Sequence, residues 1–543
     1  MMQATMMDVP IGTQTIFRHG LRAHGRREIF SFDGKQFESS TYSEIAERAA
    51  RLAQALAALG IRSNDRVATY CWNHQPHMEA YLAVPSMGAV LHTLNVRLGA
   101  DQIHFIANHA HDRVIIADAN LIGQIASILP NLPALEAVII VGVPMDLPGF
   151  GGNIFSYEAL LAAHPPIEKW PLIDERSAAV ACYTSGTTGD PKGVVYSHRS
   201  IFMHSLASMG ADTFAISQAD RILLLPPMFH ANAWGLPYSG WFAGSSFILP
   251  GPHLQPDKIR TMIESLRPSF TATVPTILND LLRAHEKRPI DMSSFRVVVS
   301  GGSAVSAALI ERVRRTWQLP VVQGWGMTET SPLCVLSHPP LGTPPAEEAM
   351  WRAKSGRAVP GVEVRIVDID GQRLPEDGVA TGALELRGPW IAQGYYDCDE
   401  GVLSADGWLV TGDVGTIDSL GYVQITDRTK DIIKSGGEWI SSIDLENRLS
   451  EFPEIAEVAV IAVADERWEE RPLVLMVAAE GASPSPPAMR GALLRDLPKF
   501  CVPEYWAQLE SLPRTSVGKI DKRALRTALL LGQISYVRID EVM

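Results

Sequence analysis

An α/β protein of at least two domains is predicted on three observations. A chain of 543 residues is longer than one hydrophobic core usually supports. Short apolar runs alternate with amphipathic helical segments over most of its length, which is the pattern of parallel or mixed sheets covered by helices on both faces. From Gly361 the texture changes to short strands separated by Asp-Gly turns, and after Asp427 to a compact mixture of helices and strands.

Taken in order, Thr41-Tyr42-Ser43-Glu44 is a capping box, and Ile45, Ala49, Leu52, Leu56 and Leu59 follow at helical spacing until Gly60. A strand is expected at 66–70. Further apolar runs at 114–117, 137–143, 221–225, 247–249 and 297–300 continue the theme, with helical segments such as 256–266 between them. Strands at 363–367 and 383–387, with turns at Asp370-Gly371, Asp377-Gly378 and Asp406-Gly407, predict a β-rich subdomain of hairpins. The tail, with apolar segments at 445–449, 458–463, 473–478 and 493–497, predicts a small α+β domain. Pro-rich stretches at 338–345 and 483–487 read as surface connections. The expected architecture is a large N-terminal domain of doubly covered α/β sheets over 1–426, a junction at 427–431 and a C-terminal domain over 432–543.

Hydrophobic residues at 46% and charged residues at 20% describe an ordinary soluble protein. A formal net charge of -13 argues against a nucleic-acid binder, so any bound anion must be met by cations concentrated locally. The cysteines Cys71, Cys182, Cys334, Cys398 and Cys501 have no C-x-x-C spacing and read as reduced thiols of a cytoplasmic protein. Met1 to Pro10 shows no secretory pattern, and no apolar run approaches the length of a transmembrane helix. Peripheral contact with a membrane and a homodimer are both compatible with this composition.

The stretch Tyr183-Thr-Ser-Gly-Thr-Thr-Gly-Asp-Pro-Lys-Gly-Val194 carries the strongest chemical signal. It offers hydroxyls, backbone N–H groups and one ammonium between two apolar segments, so it reads as a turn between buried strands whose donors converge on a polyphosphate. It is not a Walker-type loop, because Pro191, five residues after Gly186, occupies the place where that loop needs its second glycine. Its plain reading is a solvated Ser/Thr/Gly loop, with Cys182 beside it as packing. Ser300-Gly301-Gly302-Ser303-Ala304 follows an apolar strand, where α/β sheets place ligands, or is simply a tight turn. In Val322-Gln-Gly-Trp-Gly-Met-Thr-Glu-Thr330, Trp325 between two glycines can lie flat on a base, and Thr328 with Glu329 can supply a phosphate donor and a hard oxygen ligand for Mg2+. Trp408 to Asp413 ends a strand on a carboxylate suited to ribose hydroxyls. Asp427 to Trp439 packs three cations and the pair Gly436-Gly437 into a junction, and Pro513 to Lys522 presents Lys519 on a Pro/Ser/Gly loop.

Together with Glu385-Leu-Arg-Gly-Pro389 and Gly394-Tyr-Tyr396, these stretches resemble the acyl-adenylate-forming enzymes, that is, acyl-CoA synthetases, luciferases and nonribosomal adenylation domains. Pro226 to Pro237 and Asp427 to Asp431 look like the medium- and long-chain fatty acyl-CoA synthetases within that family. The resemblance implies an acid:CoA ligase that uses ATP, Mg2+ and coenzyme A, with a mobile C-terminal domain. It implies that Thr184, Ser185, Gly186, Thr187, Thr188, Gly189 and Lys192 hold phosphates and that Thr184 and Glu329 bind the metal. Gly302, Ser303, Gln323, Gly324 and Trp325 would hold adenine, Thr328 the phosphate, and Asp413 with Arg428 the ribose. Lys519 would bridge the acyl carboxylate and the α-phosphate. Lys430 would be the hinge, and Lys434, Gly436, Gly437 and Trp439 would belong to the coenzyme A side. His230, Ala231 and Trp234 would meet the acyl chain, with Gly235 leaving room for it, or would be core residues. Lys430 stands where relatives often have Asp, and Trp325 where they often have Tyr. Alternatives are a ligase for a short, thio-substituted or aromatic acid, and a nucleotide-binding homologue without catalysis.

Overall fold

The computed structural model describes residues 5–539 apart from 185–189, 400, 429, 436–437, 466 and 516–518, with the backbone alone at 438–439. Among the described residues there are three sheets. A seven-stranded sheet has the spatial order Asn153–Ser156, Ala137–Val141, Asp112–Asp118, Arg66–Tyr70, Val90–Thr93, Ala178–Tyr183, Gly193–Ser197. Its neighbours run parallel up to Ala178–Tyr183, which pairs antiparallel with Gly193–Ser197. The continuous burial of strands such as Asp112–Asp118 follows from cover on both faces. Helices Tyr42–Ala58 and Gln75–Ser86 pack on one face and Ala100–Ala110 on the other. Thr41 caps its helix as expected, its backbone N–H donating to Glu44 at 2.7 Å while its hydroxyl accepts from the Glu44 N–H.

A thirteen-stranded sheet forms the second layer. Arg221–Leu223, Ser246–Leu249, Phe270–Thr273, Val297–Gly301 and Val321–Gly326 are parallel, each buried by helices such as Pro256–Leu266, Pro275–Lys287 and Ala307–Trp317 on one side and the seven-stranded unit on the other. The expected hairpins at 363–428 are present, but they are not a separate sheet. Leu333–Leu336 and Gly356–Ala358 carry the ladder from Val321–Gly326 to Tyr422–Arg428, so the hairpins extend the large sheet. Gly356 makes that splice feasible: its φ is 113°, and a Cβ there would lie 2.0 Å from the Leu336 backbone.

The third sheet is built on the long antiparallel pair Ile455–Asp465 and Glu469–Ala478, and apolar clusters cover both its faces. Its hairpin Ile433–Ser435 and Glu438–Ile440 begins five residues after the strand Tyr422–Arg428 ends. Asp427 joins the two units, one carboxylate oxygen accepting from the Ser442 N–H at 2.5 Å and the other from the Arg428 N–H at 2.7 Å. Two boundaries differ from expectation. The strand at 137 stops at Val141, before Gly142 at φ 100°. The Pro-rich stretch at 483–487 runs directly into the helix Pro486–Asp496, because proline is well placed in a first helical turn. No described helix is long and apolar enough to cross a membrane.

Candidate active site

The parallel strands of both large sheets open at their carboxyl ends onto a cavity of about 370 Å³. Its wall takes Thr184, Asp190 and Lys192 from the first sheet, Gly301, Gly302, Gly324, Trp325, Thr328 and Glu329 from the second, Thr411, Gly412 and Arg428 from the hairpin extension, Lys430 from the junction, and Thr515 and Lys519 from the small domain. The lining also includes the apolar side chains Phe214, Leu225, Leu254, Ile277 and Leu336.

The hairpin Ala178–Tyr183 and Gly193–Ser197 carries the polar turn. Thr184 and Lys192 close its base, the Thr184 N–H donating to the Lys192 carbonyl at 2.9 Å and the Lys192 N–H to the Thr184 hydroxyl at 3.3 Å. Ser185 to Gly189, the middle of the turn, lie outside the described residues. The Tyr183 ring sits under Gly193, where a Cβ would come within 2.9 Å, and its hydroxyl meets His109 Nδ1 at 2.7 Å. Gly301 and Gly324 are neighbours in the ladder, and a Cβ on Gly301 would lie 2.6 Å from the Gly324 carbonyl. That close approach requires glycine.

Asp413 lies mid-strand, within Leu409–Ile417, and not at a strand end as the sequence suggested. A register shift beside it tilts the strand, and the carboxylate is only 6% exposed. Trp325 Nε1 donates to one of its oxygens at 2.9 Å, and Arg428 Nε stands 3.2 Å from the other. Burial raises the Asp413 pKa, opposed by Arg428, the Trp325 hydrogen bond and Lys519. Asp413 thus stands just behind the wall that Thr411, Gly412 and Trp325 line, in contact with two residues that face the cavity.

Glu329 is buried, and its Oε1 accepts from the Tyr395 hydroxyl at 2.6 Å. Its second oxygen and the Thr184 hydroxyl suit a hard cation such as Mg2+. Lys192 Nζ lies 5.1 Å above the Tyr395 ring. Tyr196 donates to the Thr328 carbonyl at 2.7 Å, fixing the backbone between Trp325 and Glu329.

The Lys519 loop is closed by the Thr515 N–H donating to the Lys519 carbonyl at 2.7 Å. Its side chain reaches across to Gly302, where a Cβ would lie 3.7 Å from Lys519 Cε, 3.4 Å from Val274 Cγ1 and 4.0 Å from Trp234 Cζ2. Desolvation and the nearby Arg428 lower the Lys519 ammonium to about 8, against the pull of Asp413 and Glu329. Burial, with Lys519 and Arg97 nearby, lowers His230 to about 4, so its imidazole is neutral at neutral pH.

Trp234 and Ala231 line the cavity from an unusual turn. Ala231, Asn232, Ala233, Trp234 and Gly235 have φ of 40°, 51°, 48°, 60° and 75°, a left-handed run that non-glycine residues adopt only at a cost. Gly235 does not leave room for substrate. A Cβ there would lie 2.3 Å from His204 Cε1, so the space is filled by His204, whose Nε2 accepts from the Leu333 N–H at 3.3 Å.

Several expected residues lie elsewhere. The Gln323 amide is spent on the Val305 N–H at 2.7 Å and the Lys354 carbonyl at 3.2 Å, and Ser303 is exposed; neither lines the cavity. Lys434 is exposed on the small sheet, paired with Trp439 in the ladder, away from the cavity. Gly436 and Gly437 lie outside the described residues, as does the Trp439 side chain. Arg97, Asp190, Tyr395, Tyr196 and His109 were not expected at the site; Asp190 and Tyr395 lay in stretches already singled out, and Arg97, Tyr196 and His109 are brought in by the folding of the chain.

The chain matches the family described as AMP-binding enzyme over residues 17–396 and the AMP-binding enzyme C-terminal domain over 444–519. It is 42% identical over 533 residues to a long-chain-fatty-acid–CoA ligase of Thermus thermophilus, covering 96% of each chain. It is 39% identical over 534 residues to a medium-chain-fatty-acid–CoA ligase of Ectopseudomonas oleovorans, covering 97% of each. A 3-methylmercaptopropionyl-CoA ligase of Ruegeria pomeroyi is also 39% identical, over 531 residues, covering 97% of this chain and 98% of that one. Among solved structures, ATP-bound MatB from Rhodopseudomonas palustris superposes with a TM-score of 0.82 at 26% identity, covering 95% of this chain and 99% of that one. The anthranilate CoA ligase AuaEII with anthranoyl-AMP has the same fold, with a TM-score of 0.87 at 23% identity over 98% of this chain and 100% of that one.

Gly235→Ala is expected to lower stability by about 2 kcal/mol or more, from left-handed strain plus the collision with His204. The companion variant Gly235→Ala/His204→Ala should recover part of that loss relative to His204→Ala alone. Urea unfolding measures both, and an unchanged midpoint in Gly235→Ala would contradict the packing described.

Proposed function

The chain belongs to the AMP-binding enzymes, and from that premise we infer that it is an ATP-dependent, AMP-forming acyl-CoA synthetase acting on a medium- or long-chain fatty acid. It uses ATP, Mg2+ and coenzyme A. The observation that supports the reading is Lys519: an ammonium from the small domain lines the same cavity as Thr184, Asp190 and Lys192 and the apolar side chains Phe214, Leu225, Leu254, Ile277 and Leu336.

In the first half reaction a carboxylate oxygen attacks the α-phosphorus of ATP, the bond to the bridging oxygen breaks, and pyrophosphate leaves with the electron pair. Both reactants are anions, so the protein's contribution is charge neutralisation and alignment. Lys519 is placed to hold the carboxylate and the α-phosphate together. Lys192, Thr184 and the rest of the polar turn hold the leaving phosphates. Trp325 would cover adenine, and Asp413, held on both oxygens by Trp325 and Arg428, would accept from the ribose hydroxyls. The metal, with Thr184 and Glu329 as ligands, would supply positive charge to the phosphates. The acyl chain would extend along Trp234 among the apolar side chains of the lining.

In the second half reaction the coenzyme A sulfur, having lost its proton, attacks the acyl carbonyl and AMP leaves. No lysine is required there. We propose that the domain beyond the junction at 427–431 turns about Lys430, withdraws Lys519 and presents the hairpin at 433–440 instead. On the same reading the enzyme works in the cytoplasm, and its assembly as a homodimer is open to sedimentation analysis.

Pyrophosphate release with ATP, Mg2+ and a panel of acids tests the substrate class. Octanoate or palmitate should lead. If butyrate, a cinnamate or methylthiopropionate far outruns them, the fatty-acid reading is wrong; release with any acid excludes a silent homologue. Lys519→Ala should lose adenylation by about a thousandfold, yet form thioester from supplied acyl adenylate at nearly the wild-type rate. Equal loss of both steps would contradict the proposed roles.

A further inference from the structure

A second concentration of positive charge lies away from the catalytic cavity. From Thr13 to Arg27 the chain has no carboxylate, while Arg18, Arg22, Arg26 and Arg27 stand among His19 and His24, in a protein whose net charge is -13. Arg22 and His24 occupy the last turn of the helix Thr13–His24, where a cation suits the carbonyl end of a helix. Arg26 and Arg27 follow on the turn beyond, where that reason no longer applies.

The fold collects these residues around an open concavity of about 700 Å³, lined by Arg22, His24, Arg26 and Arg27. Glu28, Arg221 and Ser246 also line it, and each is the first residue of its strand, in Glu28–Phe32, Arg221–Leu223 and Ser246–Leu249. Those three strands are parallel neighbours. The concavity therefore sits at the amino ends of the strands, the edge opposite to the catalytic cavity, and the two share no lining residue.

Its parts are held in place. The Arg221 guanidinium donates to the Leu266 carbonyl and lies over the Phe30 ring, 5.5 Å from the centroid. The Ser43 N–H donates to the Gly25 carbonyl at 2.9 Å and the Tyr42 N–H to the Arg27 carbonyl at 2.8 Å, which pins the turn carrying Arg26 to the start of the helix Tyr42–Ala58. Burial, then His19 and Arg27, lower the His24 imidazole below its ordinary value, so Arg27 stands close to it. Asp220, beside Arg221 in sequence, is taken by Arg296 Nε at 2.8 Å. Of the lining side chains four are guanidinium groups and one, Glu28, is a carboxylate; among the described residues none of the four is within ion-pair distance of a carboxylate. Arginines gathered without carboxylate partners repel one another, and their planar forks match phosphate oxygens two at a time. We propose that this concavity is a second anion site, which binds a phosphate group through Arg22, Arg26 and Arg27, carried either by a free polyphosphate or by a lipid headgroup.

The test is phenylglyoxal labelling of arginines, read peptide by peptide by mass spectrometry, with inorganic pyrophosphate or with phosphatidylcholine vesicles containing phosphatidic acid. Arg283, exposed and outside the concavity, is the reference. A phosphate ligand should slow labelling of Arg22 and Arg26 about fivefold or more relative to Arg283. Slowing by pyrophosphate assigns the site to a free polyphosphate. Slowing by the phosphatidic acid vesicles alone, with sedimentation on them that Arg22→Gln/Arg26→Gln abolishes, assigns it to a headgroup. Slowing by neither, or equal slowing by chloride at the same ionic strength, would overturn the site. Arg22→Gln/Arg26→Gln should release pyrophosphate from ATP and octanoate at the wild-type rate, and a large fall would contradict a site separate from catalysis. The labelling needs no acid substrate, so its outcome is independent of the fatty-acid reading.

Discussion

The arrangement depends on bringing one cation and several anions into a place with little water. The Lys519 ammonium is lowered to about 8 by desolvation and the nearby Arg428, against the pull of Asp413 and Glu329. An acidic protein can meet a triphosphate and a carboxylate only if positive charge is gathered at one point. Here that charge is drawn from three places far apart in sequence: Lys192 in the first sheet, Arg428 at the end of the second, and Lys519 in the small domain. Because the last belongs to a separately packed unit, moving that unit can remove the charge from the site.

Glycine and aromatic packing make the gathering feasible. Gly301 and Gly324 let two strands lie close enough for Trp234 and Lys519 to reach past Gly302. Trp325 does two things at once, since its face lines the cavity and its N–H holds Asp413. A tyrosine here would keep an aromatic face but place its polar atom differently, so a residue that looked like a simple aromatic exchange also sets the orientation of a carboxylate. On the acyl side, Trp234 is presented by a left-handed run that stores backbone strain where the substrate is expected.

Much of the fold was legible because its signals are local. The capping box at Thr41, the apolar runs of the parallel strands and the Asp-Gly turns each depend on a few neighbouring residues, and each appears in the structure. The continuity of the hairpins with the large sheet was not legible, since it depends on the pairing of Gly356–Ala358 with Tyr422–Arg428 across some seventy residues. At the site, the motifs marked by glycine and hydroxyl content converge on one cavity. Composition could not tell that Gln323 spends its amide on Val305, that Asp413 sits mid-strand, or that the missing Cβ of Gly235 accommodates His204. Arg97 escaped notice because a lone arginine carries no local signal, and Tyr395, though within the Gly394-Tyr-Tyr396 stretch, gained a role only through its contact with Glu329.

The central claim is that the Lys519 ammonium is the working charge in adenylation. The pH dependence of kcat/KM for ATP, followed by pyrophosphate formation, reports groups of the free enzyme. The competent form is protonated, so the rate should be full below about 8 and fall as pH rises through that value. Lys519→Arg, which stays charged, should lose that alkaline limb whatever its overall rate. A wild-type profile that stays level well above this range, or an arginine variant that falls at the same pH, would contradict the account.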